Sequence, residues 1–306
     1  MEYNKFNLNL KKALEERFGS GYNITISSVL KNNNIELDTI LIQKKGTNIS
    51  PTLYLEQYYE QYCEGASIEE IIEDVVITYE NAMKYQPKTA EETTNFSECM
   101  SKVYCRLVNY EKNKIFLESV PHIKYLDLAI TFYYLVEENK SGIQSFVINN
   151  SLFETWMVTI EELYEIAKIN TQRMFPARLS KLADVIMRCM CSYKVEDWEL
   201  TLQEIAENAN KDKDFMIYVL TNKTGINGAA VILYTDLLKK IAKSFQNDLY
   251  LLPSSIHEFL ILPKKDYRKD ELEAMVQEVN QTQVLDEEIL AQHIYEYVLE
   301  EDKILL

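Results

Sequence analysis

Apolar positions along this chain switch between a helical spacing and a strand spacing, and the switches mark its elements. Phe6, Leu8, Leu10, Leu14 and Phe18 predict a first helix, closed by Gly19. Tyr22–Leu30 and residues 35–43 then read as two strands with partial alternation. Asn32, Asn33 and Asn34 lie between them, and asparagine tolerates positive φ, so the pair reads as a hairpin. Pro51 opens a helix carrying Tyr54, Leu55, Tyr58, Tyr59 and Tyr62, which Gly65 stops. Ser67 caps the next helix, and Glu70 three residues on completes a capping box in which each side chain satisfies the other's free amide. Ile68, Ile71, Ile72, Val75, Val76 and Tyr79 form the apolar face of that helix.

Residues 84–98 are polar and broken by Pro87, which predicts a boundary between an α-β-β-α-α unit at 1–86 and a larger α+β domain at 99–306. Short strands are expected near 104–108 and 115–118. Residues 126–136 are apolar on both faces, as in a central strand, with 143–149 paired beside them. Thr159 and Glu162 repeat the capping box ahead of a helix through Arg173. Pro176 starts another helix reaching about Cys191, and Thr201 and Glu204 supply a third box. Residues 215–263 hold four apolar runs, with an amphipathic helix between the second and third. Helices at 268–282 and 286–299 and a short strand at 303–306 complete the chain. Strand, strand, helix thus recurs at 125–173, 215–246 and 248–282, and short turns between neighbouring strands imply a largely antiparallel sheet with helices on one face.

Charge narrows the partners. With 32 basic and 48 acidic residues in 306, the net charge is −16, so a phosphate backbone would be repelled while a basic protein would be attracted. Five cysteines without a secretion signal suggest reduced thiols in the cytoplasm. No apolar run approaches the roughly 18 residues of a spanning helix, so no membrane role is expected. Glycine numbers only 7, and neither Gly19-Ser20-Gly21 nor Gly225-Ile226-Asn227-Gly228 fits a phosphate-cradling loop, so no nucleotide cofactor is expected.

Ser254, Ser255, His257 and Glu258 gather at a turn between two apolar runs and contain the parts of an acyl-transfer triad. Triad members normally come from separate elements, and there is no Gly-x-Ser-x-Gly elbow. The plainer reading is a hairpin whose polar side chains bond local backbone amides. A hydrolase here would draw on Asn222 and His122 as well. His122, His257 and His293 lack metal-ligand spacing, so no metal is expected. Cys189 and Cys191, two apart on a helix, point about 200° away from each other, and Cys99 and Cys105 have no second pair. Arg173 and Arg178 could grip a carboxylate or phosphate, or simply pair with a neighbouring acid. Tyrosine is abundant at 21 residues, and Tyr54, Tyr58, Tyr59 and Tyr62 crowd one helix. They offer either a partner surface or a seal of that helix against the N-terminal hairpin.

Ile49-Ser50-Pro51-Thr52-Leu53-Tyr54-Leu55, Asn109-Tyr110-Glu111-Lys112-Asn113, Val120-Pro121-His122, Asn170-Thr171-Gln172-Arg173 and Leu252-Pro253-Ser254-Ser255-Ile256-His257-Glu258 carry a resemblance. Together with Tyr125-Leu126-Asp127-Leu128-Ala129, Phe175-Pro176-Ala177, Tyr218-Val219-Leu220-Thr221-Asn222 and Gly228-Ala229-Ala230, they resemble a family of bacterial proteins, mostly from gut Firmicutes, known as a domain of unknown function. The resemblance spans nearly the whole chain. It implies one recurring full-length architecture and carries no activity and no catalytic residue. The expectation is a cytoplasmic interaction or regulatory protein with an acidic surface, with a hydrolase centred on 254–258 as the alternative.

Overall fold

A computed structural model describes residues 1–46, 51–83, 95–139, 142–190 and 217–306. The chain divides into two compact units, Met1–Lys88 and Thr89–Leu306. Every strand pair among the described residues is antiparallel, and the architecture is α+β. No helix among them is long and apolar enough to cross a membrane. The third capping box, at Thr201 and Glu204, and Cys191 lie outside the described residues.

In the first unit, helix α1 (Tyr3–Phe18) precedes strands β1 (Tyr22–Leu30) and β2 (Glu36–Lys44). Asn33 and Asn34 take positive φ in the turn, as their sequence suggests. Pro51 does not start a helix. Thr52–Tyr54 form strand β3, with Leu53 beside Ile40 of β2, and helix α2 (Leu55–Cys63) begins only afterwards. The β-branched and aromatic side chains suit the strand, and Leu53 gains a buried position there. The unit is therefore α-β-β-β-α-α, ending in α3 (Ile68–Met83) behind the Ser67–Glu70 box. Phe6, Leu10 and Leu14 of α1 meet Ile24, Ile40 and Ile42 of the sheet and Ile71 and Val75 of α3 in one apolar core.

The second unit opens with α4 (Phe96–Cys99) and strand β4 (Val103–Asn109). The expected strand at 115–118 is instead helix α5 (Lys114–Glu118), a run too short for its periodicity to decide. Strands β5 (His122–Tyr125), β6 (Leu128–Asn139) and β7 (Gly142–Val147) follow. Long β6 is central, with β4 on one side and both β5 and β7 on the other. Helices α6 (Asn150–Trp156) and α7 (Ile160–Met174) come next, α7 behind the Thr159–Glu162 box.

A six-stranded sheet forms the rest, in the order β13-β12-β10-β11-β9-β8. The helix expected from Pro176 is split: Ala177–Lys181 is strand β8, and helix α8 (Leu182–Met190) starts after it. Ala, Arg, Leu and Lys favour a helix locally. Pairing with the buried β9 (Tyr218–Asn222) overrides that preference. The apolar run 228–233 is a 3-10 helix rather than a strand, followed by α9 (Leu237–Phe245). Strands β10 (Leu249–Ser255) and β11 (Glu258–Pro263) and helix α10 (Lys269–Thr282) match the expected strand-strand-helix unit. The helix expected at 286–299 is absent. Ile289, Leu290 and Ala291 are all buried in succession, which no single helix face allows, and Tyr295–Val298 make strand β12 with both tyrosines inward. Lys303–Leu305 form β13.

The inner faces of both sheets contribute to one core. Val103, Cys105, Ile130 and Phe132 join Leu220, Leu249, Leu251 and Phe259, with Leu163 of α7 and Ile241 of α9. Alternate residues Tyr250 and Leu252 point to the other face of the large sheet, where Leu272 and Val276 of α10 cover them. Helices thus pack on both faces of that sheet, not one.

Helix α7 also seals the open edge of β4. The Asn170 amide donates to the carbonyls of Met100 and Val103 at 2.6 and 3.0 Å, and the Thr171 hydroxyl accepts from the Cys105 amide at 2.9 Å. Both side chains are buried, so an edge that would otherwise expose unpaired backbone groups is satisfied from within. Thr171→Val keeps the shape but leaves the Cys105 amide buried and unpaired, and should lower unfolding free energy by about 1–3 kcal/mol in a denaturant melt. An unchanged midpoint would mean that the edge is not held in this way.

Candidate functional site

The polar turn between β10 and β11 brings hydroxyl, imidazole and carboxylate groups together, and its geometry is specific. Ser254 Oγ donates to Glu258 Oε1 at 3.3 Å, while Ser255 Oγ accepts from the His257 backbone amide at 3.0 Å. Neither serine is bonded to the His257 ring. The Asn227 backbone amide donates to His257 Nδ1 at 3.0 Å, so that nitrogen is an acceptor and the proton resides on Nε2. Nε2 in turn stands 3.2 Å from Glu288 Oε1 and donates to it. Both ring nitrogens are engaged by the protein, which leaves none to take a proton from a serine. The arrangement fastens backbone segments together rather than activating a nucleophile.

Gly228 lies under this turn. A Cβ there would stand 2.1 Å from Thr221 Oγ1, 2.4 Å from the His257 carbonyl oxygen and 2.8 Å from the Asn222 amide. The same Thr221 hydroxyl donates to that His257 carbonyl at 2.7 Å. Asn222, suggested as a partner of the turn, donates to the Ile226 carbonyl at 2.8 Å and accepts from Thr224 at 2.8 Å, holding its own loop. Beneath it a small cleft of about 10 Å³, lined by Tyr104, Cys105, Thr171, Asn222 and Tyr234, has room for one water molecule. Burial pushes the Cys105 thiol up to about 12, so it stays protonated there.

The other histidines lie elsewhere. His293 is not on a helix but in the loop before β12, with Nε2 3.4 Å from Asp127 Oδ2. Tyr295 of β12 donates its hydroxyl to Asp127 Oδ1 at 2.8 Å, so this carboxylate ties the turn before β6 to the larger sheet. Burial pushes the Asp127 pKa up, yet the His293 and Tyr295 bonds outweigh it and hold the group below its usual range. His122 begins β5 on the smaller sheet, and its Nδ1 donates to the Val120 carbonyl at 3.1 Å. Among the described residues, no group of three or more His, Cys, Asp and Glu side chains is placed to hold a metal ion.

Tyr58, Tyr59 and Tyr62 pack in or against the core of the first unit. Tyr58 is 1% exposed and belongs to the first unit's core, so it cannot meet a partner. Tyr59 and Tyr62 are half-buried against Phe6, and Tyr54, which precedes α2, lies under the Lys31 ammonium at 4.1 Å. The amphipathic spacing that lines these rings on one face is the spacing that turns them onto α1. Arg178 is half-buried on edge strand β8, with Nε 3.4 Å from Ser180 Oγ. Arg173 is exposed near the end of α7, and one Nη2 hydrogen reaches the Ser101 carbonyl at 2.6 Å. Arg106 carries no sequence motif, and its signal is a charge in the middle of the apolar strand Tyr104-Cys105-Arg106-Leu107-Val108. It stacks on the Tyr133 ring at 3.9 Å on the outer face of the smaller sheet.

Three antiparallel sheets, one with a helix-sealed edge, define an α+β protein whose polar turn at 254–258 is a structural fastening. The chain belongs to a family of unknown function, DUF5688, whose model matches residues 3–298. No curated protein and no solved structure matches it.

Two outcomes test this geometry. Gly228→Ala forces backbone apart at Thr221 and His257 and should cost at least the roughly 1–3 kcal/mol of an overpacked site, read as a fall in the urea midpoint. The Asp127 carboxyl is lowered in the folded state, so the unfolded chain binds more protons as the solution acidifies. Its stabilisation is therefore present above the ordinary carboxylate range and lost as pH falls through the lower folded value. Urea melts across the acid range should show a shallower decline for Asp127→Asn than for the wild type, and parallel curves would refute the assignment.

Proposed function

We propose that this protein is a bacterial, cytoplasmic interaction or regulatory protein that docks another protein through α7 of its larger unit. The observation that carries this reading is an ordered apolar pair on the surface. Ile169 of α7 is 64% exposed and Met100 is 42% exposed. The bonds from Asn170 to the Met100 carbonyl and from Arg173 to the Ser101 carbonyl hold residues 100–101 alongside the end of α7. Exposed Arg173 completes a group of methionine, isoleucine and arginine on one rigid support. Methionine and arginine are enriched at interfaces, and a rigid support lowers the ordering cost of binding. Glu161, Glu162 and Glu165 are exposed on the preceding turns of the helix and fit a partner with a basic rim. The thiols of Cys63 and Cys105, which form no disulfide, suit a reducing compartment.

Capture of partners from host lysate with tagged wild type and with Ile169→Asp tests the proposal. A protein retained at low salt by the wild type, shed as salt rises and missing from the Ile169→Asp sample would support it. Equal capture by both would place the contact elsewhere and overturn the α7 assignment.

A further inference from the structure

We propose that the outer face of the smaller sheet binds a small oxyanion, a carboxylate or phosphate group, between Arg106 and His122. Strand register brings the two together. Arg106 of β4 is the cross-strand partner of Thr131 in β6, and Thr131 is the partner of His122 in β5. Directly paired residues share a face, so Arg106, Thr131 and His122 form one row across three strands. With strands about 4.8 Å apart, the two ends of the row lie roughly 10 Å apart at Cα. The central position is a small, fully buried threonine.

The charge of Arg106 is the decisive feature. Its Nε donates to Tyr104 Oη at 3.1 Å, its Nη2 donates to the same oxygen and to Ser145 Oγ at 2.6 Å, and its plane covers Tyr133. Each of these partners is neutral. Among the described residues no carboxylate lies within ion-pair distance of it, although acids outnumber bases 48 to 32 in the sequence. A half-buried cation without a counter-charge is costly to fold, whereas one whose hydroxyl partners fix its orientation is ready for an anion. Nη1 carries no bond to any described residue, so donors remain for a ligand. Tyr104 and Ser145 hold the guanidinium in place and use only its other hydrogens.

The opposite end of the row is ready in a complementary sense. His122 uses Nδ1 on the Val120 carbonyl, which fixes a proton on that nitrogen and leaves Nε2 without a partner among the described residues. Nε2 can donate to an anion when the ring is protonated, or accept from a ligand hydroxyl when it is not. Lys124 is two residues along β5 on the same face, exposed and 4.7 Å over the Tyr110 ring. Strand positions of this face from Tyr104 to Val108, from Ala129 to Leu135 and from His122 to Lys124 contain three basic side chains and no acidic one. The row suits a small molecule bearing one oxyanion, with the Arg106 guanidinium already seated on Tyr133 and the Lys124 ammonium on Tyr110.

The test uses the full chain with inorganic phosphate and with acetate as probes, at constant ionic strength maintained with chloride. Binding is read by amide and imidazole NMR shifts and by melting temperature. Saturable shifts with either probe, centred on residues 104–106, 122 and 131, and a rise in melting temperature support the proposal. The probe that saturates at the lower concentration distinguishes carboxylate from phosphate. Arg106→Met, which keeps the stem on Tyr133, should weaken that binding by about tenfold or more. It should melt no lower than the wild type in anion-free buffer. Arg106→Lys, which preserves the charge and loses the planar donors, should fall between the two. His122→Gln should weaken binding several-fold. Absence of saturable shifts with both probes, or equal binding by wild type and Arg106→Met, overturns it. So does a large loss of stability in Arg106→Met with no effect of either anion on the wild type, the behaviour of a purely structural arginine.

Discussion

The second unit depends on a close backbone approach at Gly228. There the Thr221 hydroxyl bonds the His257 carbonyl in a space that one added carbon would fill. The contact presses the loop after β9 against the tip of the β10–β11 hairpin. Asn227, whose φ is 51°, then presents its amide to His257, and His257 reaches Glu288 beyond. Three segments distant in sequence meet at one imidazole. Backbone groups at such a junction have no sheet or helix partner of their own; the Ala229 and Ile256 amides find the Ile256 and Glu288 carbonyls, and side chains satisfy others. This explains why serine, histidine and glutamate are concentrated at one turn without forming a triad.

Helix α7 supplies the same service at a sheet edge. Asn170 and Thr171 substitute for a missing strand beside β4, and Tyr234 adds a hydroxyl bond to the Phe175 carbonyl at 2.6 Å. Burial of these polar side chains is tolerable because each bond replaces one to water. Ile169 and Arg173, on the same helix but turned outward, are thereby held on a rigid support. A surface presented this way keeps its shape before a partner arrives, which is what the proposed docking role needs.

The legible parts of the fold were those decided within a few residues. The Asn32–Asn34 turn and the capping boxes at Ser67–Glu70 and Thr159–Glu162 need only local geometry, and they stand where the sequence places them. Residues 177–181 and 228–233 depart from their local sequence patterns because their conformation is imposed from outside. The first adopts a strand to pair with β9, and the second coils because Gly228 must approach Thr221. Residues 295–298 are a different case, since Tyr295 and Tyr297 alternate with Glu296 and Val298 in plain view. There the nearby apolar residues Ile289, Leu290, Ala291 and Ile294, buried in an irregular loop, imitate the continuation of a helix.

The same division applies to function. Residue types that suggest chemistry by proximity in sequence, as at 254–258, prove to be each other's structural partners, because neighbours at a turn have little choice. A binding row across strands has no sequence proximity at all: Arg106, Thr131 and His122 come from three segments and meet only through register. Its one visible trace was a charge inside an apolar strand. In a chain with a large excess of acids, evolution or chance could place a carboxylate beside that arginine at little cost in composition. The structure surrounds it with hydroxyls and an aromatic face instead, which orient a positive charge without neutralising it. Orientation without neutralisation is the physical condition for recognising an anion, and it is a condition that packing alone does not require.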